Sequence, residues 1–235
     1  MTTNKTLWKL TIAAAILICG STSDGYRSEN MTVALITKIV QEVTRKSPPE
    51  DWMKAAKGDP LISGNQVKTG AKSLAIVKFI DNSIIRVREH SELTITGRSL
   101  TQGTMSKDVQ LNGGSFGFEV KKQKQNEQFR LTSPTSVASI RGTRGKMSGG
   151  QGNDTLVVTE GLVNFKNDAS GNDVDVAAGF IGFSLQDGSI TSRKATAQEL
   201  ADANNAATGG SQHELNLELK DSQGNKKDLK IRYKK

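Results

Sequence analysis

Short runs of β-branched and aromatic residues, separated by turn residues, repeat along the chain between residues 32 and 192. Ten of these runs are five to seven residues long, among them LAIVKFI (74–80), TLVVTE (155–160) and FIGFSL (180–185). The segments between them, such as TGAK, LNGG, SPTS and QDGS, hold the Gly, Pro, Asn, Asp and Ser residues of tight turns. Strands this short and this evenly spaced predict an all-β domain, built as a sandwich, a barrel or a solenoid.

Three further segments, one at the start of this region and two after it, have patterns of their own. In TVALITKIVQEVTRK (32–46), apolar residues fit both helical and alternating spacing, and the β-branched content favours a strand. In ATAQELADANNAATGG (195–210), Thr196 and Glu199 stand in capping-box register, which predicts a short helix. Segment 211–235 alternates leucines around the turn SQGN and predicts a basic β-hairpin. Because a lone hairpin is only marginally stable, we expect it to dock on the β domain or on a partner.

The N-terminus has the layout of a secretory signal peptide. Lys5 and Lys9 give a charged start, residues 10–19 form an apolar run, and small residues follow. The apolar run is about half of the roughly twenty residues that span a bilayer, so cleavage is favoured over a permanent anchor. We predict cleavage near Ser21 and export to the periplasm or the cell exterior.

Cys19, the only cysteine, offers lipidation as an alternative, but the bulky Ile18 precedes it where such sites normally have a small residue. Without residues 1–21 the chain has no cysteine, 30 basic and 24 acidic residues, and a net charge of +6. An exported domain without disulfides must be held by its hydrophobic core. Charged residues interrupt every later apolar run, which predicts no transmembrane span in the mature chain.

Four longer segments occur in an order that resembles the FecR domain family. They are GDPLISGNQVKTG (58–70), VQLNGGSFGFEV (109–120), FRLTSPTSVASIRGT (129–143) and LVVTEGLVNF (156–165). The most specific motifs within them are T-S-P, V-A-S-I-R-G-T and V-T-E-G-L-V. The resemblance covers residues 33–190, most of the mature chain.

The resemblance implies a role at the cell envelope. The name-giving members are inner-membrane regulators: a cytoplasmic segment holds a sigma factor, one helix crosses the membrane, and a periplasmic β-domain senses an outer-membrane receptor. Only nine residues precede the apolar run here, so we expect the periplasmic half without the anti-sigma segment. Other members are exported stand-alone FecR-domain proteins, which imply a binding or scaffold role. Fold likeness alone does not transfer function.

One stretch, GGQGNDTLVV (149–158), fits a single copy of the repeat that binds calcium in β-rolls. Each turn of a β-roll completes the calcium sites of its neighbour, so one copy predicts a loop between two strands. Asp154 is then only a weak calcium candidate. We also expect Gly113 and Gly142 where strands reverse, and a backbone hydrogen bond from the hydroxyl of Thr143.

The residues of common catalytic sites are largely missing. Once Cys19 is removed, no thiol nucleophile remains, and only His90 and His213 supply imidazole bases. His90 lies in the charged turn REHSE, His213 opens the predicted hairpin, and no G-x-S-x-G motif occurs. We predict a non-enzyme without catalytic, cofactor-binding or metal residues, although paired carboxylates acting on glycans stay open.

The basic charge, with a pI of about 9.5, suggests a polyanionic partner. Basic residues concentrate in 121–124, 141–146 and 224–235. An exported chain with 5% aromatic residues has few platforms for stacking bases, which argues against nucleic acid. Acidic glycans, lipid headgroups and other envelope polyanions fit better, and solvated turns are the plainer interpretation of each patch.

The sequence thus predicts a signal peptide (1–21), a linker (22–31), a FecR-like β domain (32–192) of solenoid or sandwich type, a short helix and linker (193–210) and a basic hairpin (211–235). The predicted function is non-enzymatic binding or scaffolding at the bacterial cell envelope, through contacts with an envelope protein or an acidic surface polymer. The alternative is a FecR-like component of trans-envelope signalling, and a glycan-active enzyme comes third.

Overall fold

The computed structural model describes residues 31–101, 104–125, 127–150, 152–209, 212–220 and 226–234. Within these residues, seventeen strands form the main body, and a helix and a separate hairpin follow. The strands of the main body are β1 (Thr32–Val40), β2 (Val43–Lys46), β3 (Met53–Lys54), β4 (Pro60–Ile62), β5 (Asn65–Thr69), β6 (Leu74–Phe79), β7 (Ile84–Val87), β8 (Glu92–Thr101), β9 (Thr104–Val120), β10 (Gln128–Thr132), β11 (Ser136–Ile140), β12 (Thr143–Gly149), β13 (Asn153–Glu160), β14 (Leu162–Asn167), β15 (Asp173–Ala177), β16 (Phe180–Leu185) and β17 (Ile190–Lys194). The helix is α1 (Ala197–Thr208), and the hairpin consists of β18 (Gln212–Lys220) and β19 (Lys226–Lys234). The predicted all-β fold is confirmed.

The strands of the main body form two layers, sheet A and sheet B. Sheet A has the order β4-β1-β6-β7-β9-β12-β13-β16-β17, and sheet B has the order β3-β2-β5-β8-β9-β10-β11-β14-β15. Strand β9 belongs to both, because residues 104–113 pair in sheet B and residues 114–120 pair in sheet A. The described strands therefore make one folded, open sheet and not a closed barrel.

The bend in β9 qualifies one prediction. Gly113 was expected where strands reverse, and the chain does turn from one sheet to the other at LNGG, but within the continuous strand β9 and not in a turn between two strands. Gly114 has φ 91°, and a Cβ atom at this position would lie 2.5 Å from the carbonyl oxygen of His90. Glycine is needed because both the positive φ and this close approach exclude a side chain.

The hydrophobic core lies between the two sheets. Strand alternation turns every second side chain inward, so that Phe79 of β6 meets Phe129 of β10 with ring centroids 5.1 Å apart. Phe116, Phe118 and Phe165 are also fully buried, and burial of each such side chain contributes roughly 1.5–3 kcal/mol. The ambiguous segment 32–46 is strand, as predicted: it forms β1 and β2.

The strands run between two ends of the molecule, which we name by their chemistry. The lysine end is formed by the connections 80–83, 121–127, 141–142, 161 and 178–179. The hydroxyl end is formed by the connections 70–73, 88–91, 133–135, 150–152, 168–172 and 186–189.

The chain changes its winding at the connection 121–127. Between β5 and β9 it passes between the sheets at the hydroxyl end, and after β9 it does so at the lysine end. As a result β9 and β10 pair in parallel, whereas the other pairings of the main body are antiparallel. This connection must span both layers, and it leaves a gap at the lysine end.

Helix α1 lies on the outer face of sheet A. The Thr196 hydroxyl accepts the Glu199 backbone N–H, the Glu199 carboxylate accepts the Thr196 N–H, and Gly209 closes the helix in the left-handed conformation, so the predicted capping box is confirmed. A Cβ atom at Gly117 of β9 would collide with the Ala206 carbonyl, so glycine there lets the helix approach. Ala203 packs against Val157 and neighbouring apolar residues of sheet A.

The C-terminal hairpin forms as predicted, in a two-stranded sheet separate from the main one. Its register pairs Leu215 with Ile231 and Leu217 with Leu229, which places these residues on one face. The predicted signal peptide with Cys19 falls outside the described residues. Within the described chain, no helix is long and apolar enough to cross a membrane.

Candidate functional site

The calcium candidate Asp154 lies inside the hydroxyl end and is only 1% exposed. Its Oδ2 atom accepts hydrogen bonds from the hydroxyls of Ser133, Thr135 and Ser136, the last at 2.9 Å. The carboxylate therefore fixes the turn that carries the T-S-P motif. No cluster of three His, Cys, Asp or Glu side chains suited to a metal occurs among the described residues. Calcium binding by Asp154 stays a prediction.

Other buried polar groups of the hydroxyl end are also satisfied. The backbone N–H of Ser91 donates to the Thr69 hydroxyl at 3.0 Å, and the Ser91 hydroxyl donates to the Ser115 carbonyl at 2.9 Å. The Asn167 amide donates to the Ser184 hydroxyl and to the Leu185 carbonyl, both at 2.8 Å. These hydrogen bonds offset the desolvation free energy of the buried polar atoms.

His90 lies in the turn between β7 and β8, with its side chain exposed and a positive φ of 52°. The neighbouring Glu89 carboxylate accepts the backbone N–H of Lys72 at 2.8 Å instead of contacting the imidazole. The structure thus does not bring His90 and Glu89 together as an acid–base pair. The side chain of the other imidazole candidate, His213, lies outside the described part of the structure.

The G-T step of the family motif corrects a second prediction. Thr143 is buried, but its hydroxyl forms no hydrogen bond, contrary to the expected bond to the backbone. Gly142 turns the chain with φ 66°, and the Thr143 hydroxyl lies 3.1 Å from the position of a Cβ atom on Gly161. Close packing of two turns at the lysine end, and not a hydrogen bond, explains why the motif has glycine at Gly142 and Gly161.

A cleft of about 410 Å³ opens at the lysine end, at the gap left by the change of winding. Its apolar lining includes Met31, Ile80 and Met105, and Lys122 and Lys124 lie at its rim. The residues come from the N-terminal side of β1, the β6–β7 turn, β9 and the connection 121–127. With Ser99 of β8, five separate segments build this cleft.

A buried ion-pair network forms the floor of the cleft. Lys107 is 1% exposed, and its Nζ lies 2.9 Å from Asp81 Oδ2 and 3.8 Å from Glu127 Oε2. Gln123 also donates to Asp81, at 2.9 Å. Burial acts to raise the pKa of Asp81, but the hydrogen bonds from Gln123, Lys107 and Ser83 outweigh it and leave this pKa below its ordinary value. Asp81 is therefore held in its charged form near neutral pH.

The lysine end also exposes large apolar side chains. Ile80 is 56% exposed and Leu162 is 55% exposed, and Met31 and Phe180 are exposed as well. The turns of the hydroxyl end have no such residue in the described chain. Single exposed apolar residues are normal on protein surfaces, but Met31 and Ile80 line one cleft, which makes this part of the lysine end a candidate contact region.

Three exposed cations accompany these side chains. Lys122, Lys124 and Arg141 form no salt bridge with the described residues, in contrast to the neighbouring Lys121, which pairs with Glu119 at 2.6 Å. We call the group of Met31, Ile80, Leu162, Phe180, Lys122, Lys124 and Arg141 the lysine-end surface. The basic residues of this surface could be recognised in the sequence. Its apolar residues could not, because each is an isolated Met, Ile, Leu or Phe beside turn residues.

The fold defines an all-β domain of two packed sheets with a contact surface at one end. The family model described as "FecR protein" matches residues 65–164, a segment that includes strands of both sheets. The resemblance found in the sequence is therefore confirmed over residues 65–164, which are similar to a FecR domain.

One solved structure is similar to this chain in its all-β fold. The crystal structure of a proposed anti-sigma factor from Parabacteroides distasonis matches with a TM-score of 0.50 and 12% identity, over 68% of this chain and 70% of that chain. A second crystal structure of a proposed anti-sigma factor from the same organism gives a TM-score of 0.49 and 12% identity, over 66% and 68%. No curated protein matches the sequence.

Proposed function

We propose that this protein is a non-enzymatic, FecR-type component of signalling across the cell envelope and that it acts through protein–protein contacts. One observation carries the proposal: the segment that matches the FecR family, 65–164, supplies five of the seven residues of the lysine-end surface, namely Ile80, Lys122, Lys124, Arg141 and Leu162. The exposed contact region is therefore largely a product of the FecR domain itself.

The signalling interpretation is better supported than general scaffolding. The FecR match and the fold likeness to a proposed anti-sigma factor both point to regulators, whereas neither supports a scaffold or a glycan-active enzyme. We further propose that the N-terminal signal peptide exports the chain, so that the FecR domain meets its partner in the periplasm or outside the cell. This placement rests on the sequence of residues 1–21.

Chemical crosslinking in cells, followed by pull-down of the full chain from the envelope fraction, tests the proposal. We expect a discrete protein partner with a receptor signalling domain or a membrane-bound regulator. Deletion of the gene should also change the transcription of a small, defined set of genes, and the wild-type chain should restore it.

Two outcomes would contradict the proposal. The first is recovery of only acidic polymer or lipid that high salt releases, because exposed charges are then the basis of binding. The second is an unchanged transcript profile in the deletion strain, which would favour a scaffold. A deletion of residues 211–235 serves as a parallel variant, and loss of the partner in it would assign docking to the hairpin.

A further inference from the structure

We propose that the lysine-end surface binds an acidic protein segment that carries an apolar anchor residue. This inference rests on the proposed function, since it names the surface and the chemistry of the partner through which the FecR domain would signal. The apolar anchor would enter the cleft beside Ile80 and Met31, and adjacent carboxylates would lie against Lys122 and Lys124.

The charge distribution of the cleft favours an acidic occupant. The two carboxylates in its lining, Asp81 and Glu127, are both engaged by Lys107 below the surface. The side-chain ammonium groups of Lys122 and Lys124 at the rim form no salt bridge with the described residues. Three lysines against two carboxylates give the lining a net charge of +1, and the two lysines at the rim are its exposed charges, so an approaching segment meets cations that attract carboxylates and repel a basic segment.

The apolar lining favours a protein over a polysaccharide. Ile80 and Met31 expose large parts of their side chains, and Met105 closes the cleft from below with 4% exposure. Covering these apolar atoms stabilises a complex only if the partner presents apolar atoms in return. An acidic polysaccharide offers charge but no aliphatic or aromatic side chain that fits a cleft of about 410 Å³.

An unsatisfied acceptor lies next to the cleft. Gln123 is 4% exposed, and its Oε1 atom has no hydrogen-bond partner although its amide nitrogen donates to Asp81. Gln123 also lines an adjoining depression of about 370 Å³ together with Glu127 and Arg141. A backbone N–H of a bound segment would satisfy this oxygen, and buried acceptors left unpaired are costly. Polypeptides, unlike lipids and most glycans, offer such donors at regular spacing.

Site-specific photo-crosslinking in cells tests the surface directly. A photoreactive phenylalanine analogue replaces Ile80 at the lysine end or, as the control, the exposed Asn172 at the hydroxyl end. We expect protein adducts from position 80 only. Mass spectrometry of the adducts should identify a peptide in which Asp or Glu residues flank a Leu, Ile, Phe or Met residue.

The identified peptide is then synthesised and titrated against the purified full chain by fluorescence anisotropy. The double variant Lys122→Glu with Lys124→Glu should weaken binding by at least about tenfold, since each substitution replaces attraction by repulsion. Lys54→Glu with Lys57→Glu makes the same change of charge at exposed residues outside the cleft and should leave binding within about twofold. All four positions are exposed, and matched thermal unfolding curves confirm that the variants fold.

The results distinguish failure of this inference from failure of the proposed function. Protein adducts at Asn172 instead of Ile80 would overturn the lysine-end surface but leave signalling through protein contacts intact. Adducts that contain only lipid, polysaccharide or a second copy of this chain would overturn both. A captured peptide without acidic residues, or equal binding by the two double variants, would refute the predicted chemistry of the partner.

Discussion

The two ends of the molecule surround a buried ionisable side chain with different kinds of partner. At the hydroxyl end, Asp154 is surrounded by neutral donors from Ser133, Thr135 and Ser136. At the lysine end, Lys107 is paired with two carboxylates, Asp81 at 2.9 Å and a second at 3.8 Å. The described turns of the hydroxyl end expose no large apolar side chain. The ion-pair network at the lysine end, in contrast, lies beneath exposed apolar and cationic side chains.

The difference follows from how the chain closes each end. At the hydroxyl end, short turns carry serines and threonines whose hydroxyls reach acceptors on neighbouring turns and strands, as Ser133 reaches Asp154 and Ser91 reaches the Ser115 carbonyl. At the lysine end, the longer connection 121–127 must cross between the sheets, and its basic residues face outward. Gln123 and Thr143 keep buried polar atoms without a partner there. The hydroxyl network thus stabilises its end of the fold. The lysine end keeps unpaired polar atoms and exposed apolar side chains that a partner could cover.

The largest expected effect is the loss of the buried cation. Lys107→Met leaves Asp81 and Glu127 close together without a positive charge and should lower the free energy of unfolding by about 4 kcal/mol at neutral pH. Urea denaturation measures this decrease in the free energy of unfolding. Lys122→Met is the matched control at the rim and should change stability by less than about 0.5 kcal/mol. Equal effects of the two substitutions would show that the ion-pair network does not hold this end.

The corresponding change at the hydroxyl end should be slightly smaller. Asp154→Ala removes the acceptor of three hydroxyls and should cost about 3 kcal/mol, because the buried donors then lack partners. Asp168→Ala, at an exposed position of the same end, should cost less than about 0.5 kcal/mol. Chemical denaturation of both variants measures the two changes in the free energy of unfolding. If Asp154→Ala is as mild as its control, the hydroxyl network is not what closes this end.

Acid should weaken the lysine end through Asp81. The folded-state pKa of Asp81 lies below its ordinary value of 3.8, so its stabilising contribution is complete above pH 3.8 and is lost as the pH falls towards the folded pKa. Asp81→Asn should remove this part of the acid sensitivity. Thermal unfolding at a series of pH values compares the variant with the wild type. Parallel curves down to acid pH would contradict the assignment.

The smallest stability effect should come from the exposed apolar residues. Ile80→Ser removes a side chain that is 56% exposed and should change the free energy of unfolding by less than about 0.5 kcal/mol. It should nevertheless weaken binding of the partner, because an apolar anchor loses its contact. Melting temperature and binding affinity measured on the same preparation separate the two effects. A large loss of stability would mean that Ile80 is structural.

The local elements could be predicted from the sequence because local rules determine them. Alternating β-branched runs identified the strands, Thr196 and Glu199 identified the capped helix, and the alternating leucines identified the hairpin. The order of the motifs predicted the resemblance to the FecR family, which the match over 65–164 confirms. Each of these signals extends over only a few residues, so it can be read without knowing which strands become neighbours.

Only the tertiary structure decided which distant residues meet. Asp81, Lys107 and Glu127 come from three connections or strands and form one network, and the bend at Gly114 in β9 looks like a turn in the sequence. The period of two in a strand fixes the face on which a side chain lies, but not the neighbouring strand or the opposite sheet. Strand pairing, set by the packing of the whole core, therefore created the cleft and the lysine-end surface.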